Sequence, residues 1–487
     1  MNITQAKEQI KNAMQAYFSR DEYGRFLLPP EAQRPVFLIG PPGVGKTAIM
    51  KQIAGELGVG LVSYSMTHHT RQSALGLPVI EEKNYGGKLS KVSEYTMSEI
   101  IASVYDMMEE TGVKEGILFL DEINCVSETL IPVMLQFLQY KTLGRHAVPE
   151  GWIVVTAGNP PEYNRAARPF DLAVWDRVKR IDVEPDFAAF KAYAAKKGVH
   201  PAVMTYLEAR KDRFYRVENT VDGTDFVTAR GWDDLSDMVR LYEGQGLKVD
   251  EALVSQYVQD KEISEDFAIY YDLFNKYRAD YQVEEILAGT APQEILDRAA
   301  AAPFDERLSL LGLLLGRVNE EMKAACEREE AIRTLHGILK EVKAGASLAE
   351  KCTEQQEKQE RALRRGGLSR EEQMRSDWVI GFLRRHVSAG SDFDTLRDAF
   401  RQETDAWEQM CAHASAALDA LYAFLEQVWP QGQELLILTT ELTAGWYAAR
   451  FIARRGCDRY YRHSRELMFY ERHTEILREL EKLEQEL

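Results

Sequence analysis

The sequence predicts an α/β fold: a parallel β-sheet with helices on both faces, followed by an α-helical lid and a bundle or coiled coil of long helices. Three observations predict it. From about residue 34 to residue 181 short apolar runs alternate with helical stretches, as in sheets buried on both faces. The following stretch is helical and polar. Beyond Pro303, apolar residues recur at three- and four-residue steps.

Five apolar runs in the first region are expected to be strands. They are Val36–Ile39, Gly60–Tyr64, Gly116–Leu120, Trp152–Ala157 and Val178–Val183. The changes in pattern predict three domains: residues 1–185 for the sheet, 186–290 for the lid, and 291–487 for the long helices. A small hairpin is expected near 214–228 in the lid, and the last apolar run of the third domain extends from Trp446 to Leu483.

Composition excludes several classes of protein. The formal net charge of -17 and pI of about 5.2 disfavour general binding to nucleic acids or anionic membranes. Two arginine-rich runs, near residues 361–385 and 450–465, leave a nucleic-acid face open, although glutamate-paired helix surfaces are favoured. The five cysteines show no metal-type spacing, and no apolar run approaches the ~18 residues of a membrane span. A cytoplasmic protein is expected.

The segment 40–47, GPPGVGKT, is a complete GxxxxGK[ST] phosphate-binding pattern between an expected strand and an expected helix. Backbone N–H groups of such a loop bind phosphates at a helix N-terminus. Lys46 is expected to contact the β- and γ-phosphates, and the Thr47 hydroxyl to bind Mg²⁺. The nucleotide-contacting residues are predicted to be Gly40, Pro41, Pro42, Gly43, Val44, Gly45, Lys46, Thr47, Ala48 and Asp121.

Two further strands end in polar residues of the kind that hydrolysis requires. Asp121 and Glu122 follow the run ending at Leu120, and we expect Asp121 to bind Mg²⁺ and Glu122 to polarise the attacking water. Asn159 follows the next strand. If that strand lies beside the one ending at Asp121, Asn159 can hydrogen-bond the water or the γ-phosphate; otherwise it is a turn residue before two prolines.

In succession, GPPGVGKT, LDEIN, AGNP and the triplet Asp176-Arg177-Val178 resemble the MoxR family of AAA+ ATPases, over roughly residues 30–240. The resemblance implies ATP as the nucleotide, Arg177 as an arginine finger that reaches the neighbouring subunit, and Arg230 as the sensor arginine of the lid. Arg168 and Arg180 stay open as rivals for the finger. Each arginine could instead form a surface ion pair.

The resemblance also implies an insert after the second strand. The interval between Lys46 and Asp121 is longer than a helix, a strand and a second helix require, and the surplus lies around residues 70–96. Tyr85, in a glycine-rich stretch, is expected to be a hairpin-turn residue, with a substrate-gripping role as the alternative. A loop at 143–149 could face the same side.

The leading hypothesis is a homo-oligomeric, hexameric ring that hydrolyses ATP and remodels a partner protein in the manner of a chaperone. By resemblance, that partner could carry a von Willebrand factor A domain. Two alternatives stay open: a nucleotide-gated interaction scaffold with slow hydrolysis, and a nucleic-acid motor, which the acidic charge disfavours.

Overall fold

The structure is a computed structural model that describes residues 1–164, 166–168, 170–220, 223–430 and 432–465. It consists of two compact units. Unit 1 comprises Met1–Ala189 together with Cys352–Ser376, and unit 2 comprises Phe190–Lys351 and the chain from Asp377 onward. The three domains that the sequence suggests are kept as a proposal, and each unit is described by itself.

Unit 1 contains nine strands and the first helices. The strands are β1 (Val36–Ile39), β2 (Gly60–Ser65), β3 (Pro78–Tyr85), β4 (Lys88–Tyr95), β5 (Gly116–Asp121), β6 (Thr142–Leu143), β7 (His146–Ala147), β8 (Trp152–Gly158) and β9 (Lys179–Asp182) among the described residues. The helices are α1 (Ile3–Phe18), α2 (Lys46–Leu57), α3 (Arg71–Leu75), α4 (Glu99–Thr111), α5 (Ile131–Tyr140), α6 (Leu172–Trp175) and α7 (Phe187–Lys197), which continues into unit 2.

The main sheet has five parallel strands in the order β2-β5-β8-β1-β9. The predicted α/β class is confirmed, and all five predicted strands are present with ends that differ by one residue at most. The strands β5 and β8 are buried almost throughout, which explains their continuous apolar sequence. Phe37, Leu118 and Val154 lie in the core, where each such side chain contributes roughly 1.5–3 kcal/mol.

The insert after β2 is the short helix α3 followed by the antiparallel hairpin of β3 and β4. Tyr85 is the last residue of β3, directly before the Gly86-Gly87 turn, and is 56% exposed. A second, smaller hairpin is formed by β6 and β7 around Gly144. An ion pair between Arg145 and Glu94 links the two hairpins.

Lys141, which follows α5, is a buried amine with an altered pKa. Its ammonium lies 3.5 Å from the Gln33 amide oxygen, and burial lowers its pKa to about 8. Because the folded state disfavours the charged form, protonation destabilises the fold at pH values below 8, and the penalty disappears as pH rises towards 10.5. The fully developed penalty is roughly 3 kcal/mol.

We therefore predict that Lys141→Met raises the free energy of unfolding at pH 7 and that its advantage over wild type shrinks towards pH 10. Urea unfolding of both proteins at several pH values measures this. A gap that does not depend on pH would contradict the assignment.

Unit 2 is almost entirely helical in its described part. Its elements are α8 (Pro201–Ala209), β10 (Arg216–Thr220), β11 (Gly223–Val227), α9 (Ala229–Gln245), α10 (Glu251–Val254), α11 (Lys261–Asp280), α12 (Val283–Leu287), α13 (Gln293–Ala301), α14 (Phe304–Lys343), α17 (Phe393–Val428), α18 (Gln433–Ala444) and α19 (Trp446–Arg455). Two more helices, α15 (Leu348–Arg364) and α16 (Arg370–Ser388), belong partly to each unit. The hairpin of β10 and β11 confirms the one predicted in the lid.

The 40-residue helix α14 packs against the 36-residue helix α17. Trp407 donates a hydrogen bond to the Ala325 carbonyl (3.0 Å), and His413 lies 3.0 Å from Glu321. Since residue numbers rise along one helix as they fall along the other, the pair is antiparallel. At 1.5 Å per residue α14 extends about 60 Å.

The arginines of α19 contact glutamates of the neighbouring helices. Arg450 pairs with Glu330, Arg454 with Glu329, and Arg455 with Glu408. These pairs match the expected glutamate-paired surface. The remainder of the third predicted helical run, beyond residue 465, lies outside the described residues. Within the described part of the chain, no helix is both long and apolar enough to cross a membrane.

Candidate functional site

The predicted site residues of unit 1 meet at the carboxyl edge of the main sheet. Strand β8 lies between β1 and β5, so the segments that follow these three strands are neighbours. They carry Lys46, Asn159 and the Asp121-Glu122 pair. In open parallel sheets this edge is where ligands bind.

The phosphate-binding loop, residues 40–45, connects β1 to α2. Gly40 donates its N–H to the Gly158 carbonyl (3.3 Å), which fixes the loop against the end of β8. Gly45 precedes the helix with φ 95°, a conformation that favours glycine. Gly45 is the N-cap residue of α2. Because it has no side chain, it makes no capping hydrogen bond to the first N–H groups of the helix. A loop of this kind fits an anionic phosphate chain.

Lys46 is almost completely buried, with 8% of its surface exposed. Its ammonium donates hydrogen bonds to the carbonyls of Gly40 (2.7 Å) and Pro41 (2.8 Å) and to the side-chain oxygen of Asn159 (2.8 Å). The last contact brings together two residues that the sequence placed 113 positions apart. Asn159 therefore follows a strand that lies beside the one ending at Asp121, which is the placement that its predicted role requires, and that role stays a prediction.

Thr47 and Asp121 form the candidate Mg²⁺ site. The Thr47 hydroxyl donates to an Asp121 carboxylate oxygen (2.7 Å), and the other oxygen accepts the Glu122 N–H (3.0 Å). A hydroxyl and a carboxylate are hard oxygen donors, which Mg²⁺ prefers, and two protein ligands suit an ion that retains several waters. The donor set thus fits the predicted cation.

Glu122 has a left-handed backbone conformation, with φ 55°. Such a conformation is uncommon for residues other than glycine. One carboxylate oxygen accepts a hydrogen bond from the Ser65 hydroxyl (3.1 Å) at the end of β2. Ser65 pairs in register with Asp121, so β2 delivers this hydroxyl to the site. No sequence pattern indicates Ser65, since its position depends on the pairing of β2 with β5.

Asn124 is a second positioning residue that sequence reasoning did not single out. It is buried, and its side-chain amide donates to the Asn159 carbonyl (2.7 Å). A Cβ atom at Gly158 would overlap its side-chain oxygen, so glycine is needed there. Asn124 thereby holds the segment after β8 against the segment after β5. Asn124 belongs to the motif LDEIN, but the sequence does not indicate that its side chain contacts Asn159.

The arginines divide by their contacts. Arg168 pairs with Glu128, while Arg180 pairs with Asp182 (2.7 Å) and stacks on the Trp175 ring at 4.5 Å. Arg177 is half-buried after α6, and Arg230 is exposed in the first turn of α9 in unit 2. The role of Arg177 as an arginine finger and that of Arg230 as a sensor arginine both remain proposals.

Comparison with known families finds one similarity in sequence within this unit. Residues 36–171 match the sequence model of the ATPase family associated with various cellular activities (AAA). Residues 36–171 are thus similar to AAA ATPase domains. Such domains generally bind nucleotide and have ATPase activity, and Lys46 lies within the matched residues.

Other comparisons add little. No curated protein matches the chain in sequence. Among solved structures, a RuvB mutant from Thermotoga maritima is similar, with 16% identity, a TM-score of 0.28, and coverage of 53% of this chain and 69% of that chain. At this score the likeness carries no argument about function.

Proposed function

We propose that this protein is an ATP hydrolase of the AAA+ kind that works as a homo-oligomeric ring and remodels a partner protein in the cytoplasm. The observation that carries the proposal is the meeting of Lys46, Thr47, Asp121, Glu122 and Asn159 at one edge of the sheet. A protein that only senses nucleotide can dispense with a second carboxylate, whereas Glu122 is present and turned into the site.

Each residue has a role that its contacts support. The loop 40–48 binds the phosphates, and Lys46 exchanges carbonyl acceptors for phosphate oxygens. Thr47 and Asp121 hold Mg²⁺, which supplies charge neutralisation for the transferred phosphoryl group. Glu122 accepts a proton from the attacking water, and Asn159 orients that water or the γ-phosphate. Asn124 and Ser65 position Asn159 and Glu122.

The proposed role of the arginines is the reason for proposing a ring. A guanidinium that stabilises charge on the phosphoryl group is needed for fast hydrolysis, and Arg177 is proposed to supply it to the neighbouring subunit. Arg230 is proposed as a second such arginine, from the lid. A head-to-tail arrangement that closes produces a ring, hexameric by resemblance to the MoxR family.

Remodelling of a partner is supported by the hairpin of β3 and β4. Ile80 is 72% exposed and Leu89 70% exposed, and Tyr85 is at the turn. Ile80 and Leu89 lie on the same face of the hairpin, because the pairs Ile80–Ser93 and Asn84–Leu89 are separated by an even number of residues. Two exposed apolar side chains on one face, with the charged pair of Glu82 and Lys91 between them, offer a contact for another protein, which by family resemblance carries a von Willebrand factor A domain.

Steady-state ATP turnover against protein concentration tests the proposal. If sites are shared between subunits, specific activity rises with concentration to a plateau, in parallel with the mass of the assembly measured by light scattering. Lys46→Ala, which removes the phosphate-binding ammonium, is expected to abolish nucleotide binding. Wild-type turnover that is absent, or present but independent of concentration, contradicts the ring.

A nucleotide-gated scaffold with slow hydrolysis is the second candidate, and the Ser65–Glu122 hydrogen bond favours it. This bond stabilises the ionised carboxylate and competes with the attacking water for the same oxygen. If the scaffold is the function, removing this bond by Ser65→Ala raises basal turnover about 3- to 10-fold, as ~1 kcal/mol of hydrogen-bond energy allows. Ser63→Ala, an exposed serine on the same strand, is the control. A fall in turnover would assign Ser65 to positioning instead.

A further inference from the structure

A segment from the C-terminal half of the chain belongs to unit 1. Residues Cys352–Ser376 pack with Met1–Ala189, although the chain on both sides of this segment belongs to unit 2. The segment comprises most of α15, the turn at Gly366-Gly367 and the first part of α16. We call it the docking tip. In the sequence its two glycines indicate only a break between helices.

The docking tip touches α2, the helix that begins with Lys46 and Thr47. At the far end of α2 is Gly55, and a Cβ atom there would overlap the Gly367 carbonyl. In the reverse direction, a Cβ at Gly367 would lie 3.0 Å from Gly55 Cα. Glycine within a helix costs about 0.5–1 kcal/mol relative to alanine. The close approach of the tip is the physical reason for glycine at position 55.

A second contact fixes the tip to α4. Arg365 donates a hydrogen bond from Nη2 to the carbonyl of Thr111 (3.0 Å), the last residue of that helix. This carbonyl is among those that a helix leaves unsatisfied, and the positive guanidinium complements the negative end of the helix dipole. Only four residues of connecting chain, 112–115, separate α4 from β5, which begins at Gly116 and ends at Asp121.

Both contacted helices lead to the nucleotide site. Gly55 lies nine positions after Lys46, which is about 14 Å along a helix axis. A helix is stiff over that length, so a shift of its first turn when phosphate binds is felt at its last turn. On the other side, α16 continues into unit 2, where the Arg328 guanidinium of α14 lies 4.5 Å above the Trp378 ring. Continuous helices thus run from the tip into the C-terminal bundle.

We propose that the docking tip is a coupling element: by clamping the ends of α2 and α4 through Gly55, Gly367 and Arg365, it links nucleotide binding at Lys46 to the C-terminal helices. The nucleotide half of this inference rests on the proposed function. Gly55, Gly367 and Arg365 are positioning residues, since they act through α2 and α4 and touch no substrate. What the C-terminal helices bind is then sensed at the nucleotide site, and the reverse holds by linkage.

Hydrogen–deuterium exchange on the full-length protein without nucleotide is the first test. Gly55→Ala and Arg365→Ala are expected to speed exchange in residues 352–376 and, at a distance, in residues 40–50. Gly337→Ala in α14 is the matched control, because a Cβ there meets no heavy atom within 4 Å. The proposal is overturned if exchange changes only at residues that contact the substituted side chain directly. Arg365→Ala adds no atoms, so it decides the question if Gly55→Ala does not fold.

Nucleotide affinity is the second test, with a fluorescent ADP analogue as the probe. Gly55→Ala and Arg365→Ala are expected to raise the Kd about 5-fold or more. Arg365→Lys is expected to recover part of the lost affinity, because its ammonium can donate to the Thr111 carbonyl. A Kd within 2-fold of wild type in both variants overturns the coupling. If wild type binds no nucleotide, the proposed function fails, while the exchange measurement still decides whether the tip and the loop are coupled.

Discussion

Replacing Glu122 by glutamine is expected to lower ATP turnover at least about 100-fold while nucleotide binding is retained. The glutamine amide cannot accept a proton from the attacking water, whereas the carboxylate can. Its oxygen can still accept the hydrogen bond from Ser65, so the side chain keeps its place. The phosphate contacts of Lys46 and the loop are unchanged, so affinity should stay within a few-fold of wild type.

Phosphate release and titration with a fluorescent ATP analogue measure the two effects separately. Glu115→Gln is the matched control, because it makes the same chemical change at the residue that precedes the first residue of β5. There the carboxylate lies 3.5 Å from the Arg20 guanidinium at the surface. It is expected to be silent, because such exposed pairs contribute little. Turnover of the Glu122 variant within about 3-fold of wild type would remove Glu122 from the reaction.

Much of unit 1 could be predicted because its signals are local. Each strand is a short apolar run bounded by turn residues, and the loop 40–47 combines glycine, lysine and threonine at a fixed spacing. The Lys46–Asn159 contact required one further step, the placement of β8 beside β1 and β5, which the sheet order confirms. The 40-residue length of α14 was also predictable, since apolar periodicity continues through it.

What could not be predicted depends on partners distant in sequence. Ser65 is an ordinary strand-end serine until β2 is paired with β5 in a register that sets it opposite Asp121. Gly55 looks like a weak helix residue until Gly367 is placed against it. In the sequence Lys141 resembles a surface lysine, and only the fold buries it and places its ammonium near Gln33. In each case the residue type is common, and the contact with a residue distant in sequence determines its role.

Replacing Arg177 by alanine is expected to lower turnover about 10³-fold or more while the ring stays assembled, because loss of an arginine finger removes charge stabilisation of the transferred phosphoryl group. Arg168→Ala and Arg180→Ala are the matched controls. Arg168 pairs with Glu128, and Arg180 is held by Asp182 and Trp175. Both controls should retain turnover within several-fold of wild type. A large loss in either one, with Arg177→Ala active, would transfer the finger role to that residue.

Mixing two inactive variants separates a finger that acts between subunits from one that acts within its own. An Arg177→Ala subunit supplies an intact Glu122, and a Glu122→Gln subunit supplies an intact Arg177. In a randomly mixed head-to-tail ring, about a quarter of the interfaces combine both intact residues, so turnover should reappear on mixing. An arginine acting within its own subunit gives no recovery, because every site then lacks one group. Recovery that vanishes on dilution, together with loss of the assembly, would place Arg177 across the subunit boundary.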